Sequence, residues 1–263
     1  MIHSTYSLFL AVYLAHLLTD FVFQTDRLVS KKHRAERRGY LVHGATHYIS
    51  VLAIVAIADP HRFLTLYFQV IALSLSVVYL VVDWAKLSLI KSRLMPDNAL
   101  AFVLDQIFHL ATVIGAVLLL AHPSLQTFRF WLMRIGLLQE KILLVLVIYA
   151  SVIFAGGYFI RVLIGPLWRE EPGQETKEHA EVINAGLYIG WLERFLVLTA
   201  LFLQSPATVG FILAAKSIAR YPELKSVRFA EYFLIGTLLS VSIAIGGAIV
   251  LLHALYGTVT LGK

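Results

Sequence analysis

Apolar positions in this chain gather into long runs instead of alternating. The runs cover about 6–24, 40–58, 63–89, 99–121, 141–164, 184–204, 207–219 and 229–253. Most approach the ~20 residues that a helix rising ~1.5 Å per residue needs to cross a ~30 Å hydrocarbon layer. Only helices and closed barrels satisfy their backbone groups in lipid, and runs of this length exclude the short alternating strands of a barrel. The pattern predicts an all-α, polytopic helical membrane protein with about seven to eight transmembrane helices. The turns at Asp59-Pro60-His61-Arg62, Pro96-Asp97-Asn98, Ser205-Pro206 and Tyr221-Pro222 punctuate it. The seventh run has only ~13 residues, short for a full span, which suggests a re-entrant element or a thinned patch of bilayer.

Charge orients the runs. No charged residue precedes the first, and Arg27, Lys31, Lys32, Arg34, Arg37 and Arg38 follow it closely. By the positive-inside rule this loop is cytoplasmic and the N-terminus lies outside; if the seventh run crosses, both termini lie outside and inner loops carry about three times as many Lys and Arg as outer ones. The first run lacks the basic leader and small-residue cleavage site of a signal peptide and reads as a retained span. The stretch 122–140 suits an outer loop or an interfacial helix. Glutamates 170, 171, 175, 178 and 181 mark the one soluble-looking stretch. The expected organisation is a five-helix membrane core over 1–165, an acidic cytoplasmic loop over 166–184, and a two- to three-helix extension over 185–263.

Composition narrows the chemistry. Of 263 residues, 59% are hydrophobic and 14% charged, and the mean hydropathy is +0.79, outside the range of an ordinary soluble domain. The absence of cysteine excludes disulfides, thiolate metal sites and cysteine nucleophiles, so any metal ligand is His, Asp or Glu. A net charge of +6 is explained by the basic inner loops, and nucleic acid is not an expected partner.

Against that background four polar pairs stand out: His16-x-x-x-Asp20, His43-x-x-x-His47, Asp83-x-x-Lys86 and Asp105-Gln106-x-x-His109, one on each of the first four runs. Residues three or four apart share a helix face, so each pair points two polar heads one way. Burying such groups in hydrocarbon costs a few kcal/mol or more apiece, and they turn toward partners, a cavity or an ion. Counted from the inner helix ends at ~1.5 Å per residue, all fall in the inner half of the bilayer. The first run goes inward and reads His then Asp, whereas the fourth goes outward and reads Asp then His. Both therefore place the imidazole deeper. His16, His47 and His109 form an expected deep tier, with His43, Asp20, Asp83 and Asp105 shallower.

Three imidazoles plus a carboxylate or water is a recurrent catalytic zinc arrangement, and seven candidate ligands would also suffice for two metals in a helix bundle. The expected cofactor is a divalent metal, zinc first. Lys86 would offset negative charge, and Gln24 and Gln106 would orient substrate or water. The plain alternatives are satisfied interior histidines, side chains that snorkel at helix ends, and a simple Asp83–Lys86 ion pair. Each pair alone favours the plain reading; four at one depth with matching polarity favour a site. In the back half, Gly186-x-x-x-Gly190 is a packing pattern. Arg194 and Lys216, with Glu193, Arg220 and Glu231 nearby in sequence, form either an ion-pair network or a seat for an anionic headgroup.

The motifs His16-x-x-x-Asp20-Phe-x-x-Gln24, His43-x-x-x-His47, Asp83-x-x-Lys86 and Asp105-Gln-x-x-His109 resemble DUF3307, a bacterial family of integral membrane proteins without an established activity. The resemblance covers the first ~120 residues. It implies that these residues belong together in a multi-pass protein of the bacterial inner membrane. The resulting expectation is a metal-dependent hydrolase of a lipid or other amphiphile, its site facing the cytoplasm. A metal-activated water, its pKa brought toward ~7, would be the nucleophile and Asp20 or Asp105 the base. The same residues would serve a proton- or metal-coupled transporter, although there is no inverted repeat and the site sits off the midplane. A non-enzymatic membrane scaffold would need the pairs to be purely structural.

Overall fold

The structure is a computed structural model that describes residues 2–24, 37–121, 138–168 and 177–257. All regular structure among the described residues is helical. Among the described residues, six helical stretches are long and apolar enough to cross a membrane: Thr5–Phe23, Arg38–Ala58, Leu66–Lys91, Ala99–Ala121, Leu138–Ile164 and Phe229–Tyr256. Large apolar side chains such as Ile57, Leu73, Trp84, Ile107 and Leu119 stay exposed on them, the pattern of a surface built to meet lipid. The chain divides into two compact units, 1–147 and 148–263, and the division falls within the fifth apolar run.

The first unit is built on four long helices. Helix α1 (Ile2–Leu18) ends in a π turn, Thr19–Phe23. Helix α2 (Arg37–Ala58) leads to the short α3 (Pro60–Phe63), in which Asp59 Oδ1 accepts from the Arg62 amide at 3.1 Å and Pro60 takes a first-turn position that needs no N–H donor. Thr65 then caps α4 (Leu66–Lys91), and Asn98 Oδ1 accepts from the Ala101 amide at 3.0 Å to start α5 (Ala99–Ala121). The residue bounds of α5 match the fourth apolar run. Helix α1 packs on α2 and α5, and α4 packs on the same two, so the four close into a ring. A Cβ on Gly44 would stand 2.7 Å from Leu80 Cδ1, so the absence of a side chain there lets α2 and α4 approach one turn from His43 and His47. At the end of the ring away from Asp20, Arg62 and Tyr67 donate to the Leu120 and Leu119 carbonyls at 2.9 and 2.8 Å and satisfy the last turn of α5.

Helix α4 runs to Lys91, beyond the expected end of the third run. That places Asp83 about 12 Å from the helix end instead of close to it. The fifth run begins at Leu138 as α6 (Leu138–Ala150), continues through a second π turn, Ser151–Ala155, and ends as α7 (Gly156–Ile164). Glu140, read from sequence as part of an outer loop, lies in the first turn of α6 and is buried. The basic loop at 25–36 and the rest of the 122–137 stretch lie outside the described residues, as do glutamates 170, 171 and 175.

The second unit packs α8 (Lys177–Phe202) against α10 (Val227–Tyr256) and against α9 (Pro206–Ala219). Val152, Val197, Leu198, Leu201, Ala244 and Ala248 make its core. Helix α8 starts at Lys177, so the last part of the expected 166–184 loop is helical. Helix α9 has 14 residues and buries none of them, and its ~21 Å falls short of a ~30 Å core.

Candidate metal centre

The four polar pairs meet inside the ring of the first unit. His16, His47 and His109 are each 0% exposed and His43 1%, a degree of burial rare for four imidazoles in one place. Two sets of three residues bring ligand atoms within 4.8 Å of one another: His16, Asp20 and His47, and Asp83, Asp105 and His109. In the first, His47 Nε2 lies 2.8 Å from Asp20 Oδ1 and His16 Nδ1 lies 3.8 Å from Asp20 Oδ2. In the second, His109 Nε2 lies 3.4 Å from Asp83 Oδ1 and 3.6 Å from Asp105 Oδ1. His43 joins them, its Nε2 3.5 Å from Asp20 Oδ1 and 3.2 Å from Asp83 Oδ2.

The sets thus cut across the deep and shallow tiers drawn from sequence. Asp20 sits in the π turn, whose extra residue shifts side chains relative to a regular helix. Asp83 joins Asp105 and His109 because α4 packs on α5. The three deep imidazoles share a neighbour that the sequence reading missed: Tyr79, 0% exposed, with ring centroids 5.2, 4.6 and 4.9 Å from His16, His47 and His109. Its one sequence signal is a position four before Asp83, which places it on the same helix face. Tyr13, three before His16, stacks on that imidazole at 6.0 Å.

Polar side chains border the cluster. Lys86 Nζ donates to Asp105 Oδ2 at 3.0 Å, an ion pair with the carboxylate of α5, where the plain sequence reading had named Asp83. Gln106 joins the two sets, with Oε1 3.4 Å from His16 Nε2 and Nε2 donating to Asp105 Oδ2 at 3.3 Å. Gln24 follows the π turn and is half-buried. Several ligand atoms have no hydrogen-bond partner despite full burial: both ring nitrogens of His43 and His109, Nδ1 of His16 and His47, and Asp105 Oδ1. An unpaired buried polar group costs about 1–3 kcal/mol, and so many in one place set this cluster apart from an ordinary core.

Residues 8–138 place the chain in DUF3307, a family of proteins of unknown function. No curated protein and no solved structure matches it. The DUF3307 region contains the whole His/Asp cluster, and Arg194 and Lys216 lie beyond it.

Those two residues belong to a different arrangement in the second unit. Arg194 donates through Nε and Nη2 to the Ile153 carbonyl at 3.1 and 2.8 Å, and through Nη1 to Ser240 Oγ at 3.5 Å. Ile153 lies in the second π turn, where the widened ring leaves a carbonyl in need of a donor. A Cβ on Gly157 would fall 2.3 Å from Arg194 Nη2, so glycine leaves room for the guanidinium. Lys216 pairs with buried Glu193 and donates to Thr237 Oγ1 at 3.0 Å, its Nζ 5.1 Å from the Phe233 ring centre. Of the ion-pair network that the sequence reading set beside a headgroup seat, the Lys216–Glu193 pair is present, while Arg194 bonds a backbone carbonyl and Arg220 pairs with Glu223.

Proposed function

We propose that this DUF3307 protein is a multi-pass protein of the bacterial inner membrane, its cluster opening toward the cytoplasm, and that it hydrolyses a lipid or other amphiphile with a divalent metal held by the cluster. The observation that carries the reading is the set of buried imidazole nitrogens without hydrogen-bond partners, facing carboxylates across 3.2–3.8 Å. Donor atoms bound to one zinc ion stand ~3–4 Å apart, so the spacing suits ligands around an ion. His, Asp and no thiolate favour zinc, with manganese or iron next. His16, His47, His109, His43 and Asp83 are the proposed ligands. The ion would supply an activated water; Asp20 or Asp105 would take its proton, and Lys86 would balance charge developing on the substrate. Gln106, within reach of both sets, would orient substrate or water. Gln24 would act at the end of the π turn, while Arg194 and Lys216 would meet the substrate only by leaving their present partners.

Elemental analysis of the purified full-length protein, before and after a chelator, tests this directly. Stoichiometric metal, together with ester hydrolysis of an amphiphilic substrate that chelation removes and zinc restores, is the expected result. Sub-stoichiometric metal that does not rise on adding zinc, manganese or iron ends the metal reading.

One observation favours a second reading. His47, Asp20, His43, Asp83, His109, Asp105 and Lys86 form a continuous run of neighbours at 2.8–3.6 Å, the kind of path along which a transporter relays protons. Proton or metal flux into proteoliposomes that vanishes in Asp20→Asn and Asp105→Asn would rank the carrier above the hydrolase.

A further inference from the structure

The donors divide in a way that a single ion does not explain. Helix α1 with its π turn and helix α2 supply one complete set, and helices α4 and α5 supply the other. Each offers two residue types suited to a divalent ion, and neither borrows a ligand from the other. In the first set the His47–Asp20 contact at 2.8 Å satisfies one pair of atoms internally. In the second set His109 Nε2 faces Asp83 Oδ1 at 3.4 Å and Asp105 Oδ1 at 3.6 Å without the geometry of a hydrogen bond, and His109 Nδ1 has no partner, so an ion confined to the first set would leave these buried atoms poorly satisfied. His43 Nε2 stands between the sets, within 3.5 Å of a carboxylate from each.

Charge then says what must accompany a second ion. With neutral imidazoles, the carboxylates of Asp20, Asp83 and Asp105 and the Lys86 ammonium leave the cluster with a double negative charge. One divalent ion brings this to neutrality. A second leaves a double positive charge, which a low-dielectric interior tolerates only together with an anion. A phosphoryl group carries that charge, and pairs of metal ions stabilise the attacking and leaving oxygens of its displacement.

Resting on the metal reading above, we propose that the cluster is a two-ion centre, one divalent ion in each set, and that its substrate is the phosphate monoester of an amphiphilic alcohol. Water adds to phosphorus as the ester P–O bond breaks. A cluster carboxylate takes the proton of the water and passes it to the departing alkoxide, so the products are the alcohol and inorganic phosphate.

The test uses the full chain in detergent, stripped of metal and reloaded with zinc or manganese. Elemental analysis is expected to give two ions per chain for the wild type and one for His109→Gln and for Asp105→Asn. Calorimetric titration with inorganic phosphate is expected to show binding weakened by about tenfold or more in the one-ion forms. A wild type that takes up one ion, or phosphate binding that is equal in the two- and one-ion forms, overturns the two-ion centre while leaving the metal reading intact. A wild type that takes up no ion overturns both. If the variants do not fold, wild-type stoichiometry and phosphate titration at limiting and excess metal decide the question in the same way.

Discussion

Both units bury charge among apolar helices, but they treat it differently. In the second unit the cations have acceptors: buried Arg194 is held by the Ile153 carbonyl, and half-buried Lys216 pairs with buried Glu193, while Glu193 Oε1 and Trp191 Nε1 stay without a hydrogen-bond partner. In the first unit, imidazoles and a carboxylate oxygen are equally buried and lack hydrogen-bond partners. Burial of polar groups in a membrane protein is therefore not by itself a sign of a site. The first unit differs in gathering many such unsatisfied imidazole and carboxylate atoms in one place.

That contrast can be broken by substitution. The largest effect belongs to the first unit: Asp20→Asn or His47→Gln is expected to lower hydrolysis by a hundredfold or more, about 2.7 kcal/mol in the barrier, with the folded protein retained. Rates, metal content and melting temperature measured together check it, and a variant with lost fold but normal specific activity in the folded fraction would make the cluster structural. Lys216→Met comes next, because it strands the Glu193 carboxylate, 4% exposed, without its cation. A loss of ~3–5 kcal/mol is expected in a denaturant or thermal unfolding series, with metal content unchanged. The double variant Glu193→Gln/Lys216→Met should recover most of it.

Gly157→Ala is the next smaller test, with an expected loss of ~1–3 kcal/mol as the new methyl displaces the guanidinium from Ile153. The mechanism requires coupling. The same change should cost much less in an Arg194→Met background, and additive losses in a double-mutant cycle would remove the link between glycine and arginine. The smallest expected effect is Tyr79→Phe, which keeps the ring against three imidazoles and removes a hydroxyl close to Thr112. Its stability should change by about 1 kcal/mol or less, with metal content unchanged. A large drop in metal content would instead make the phenol a ligand or the holder of one.

Much of this was legible along the chain. The apolar runs locate the helices because spanning lipid demands length and apolarity, properties local to each segment, and the residue bounds of α5 were readable from its composition and the flanking turn at 96–98. The His/Asp pairs were legible for the same reason: at i and i+4 on a helix their shared direction follows from geometry alone. The grouping of those pairs was not. It depends on a π turn at Thr19–Phe23 with no cap or proline to announce it, on the packing of α4 against α5, and on the way Gly44 lets α2 approach α4. Tyr79 was hidden by its chemistry, since a tyrosine among apolar residues looks like core until its neighbours are known. Arg194 read as a member of an ion-pair network or a headgroup seat because the carbonyl that engages it comes from another helix. Sequence determines which residues share a helix face, because that is set within one turn. Only the tertiary structure decided which faces meet, because that is set by packing among helices far apart in the chain.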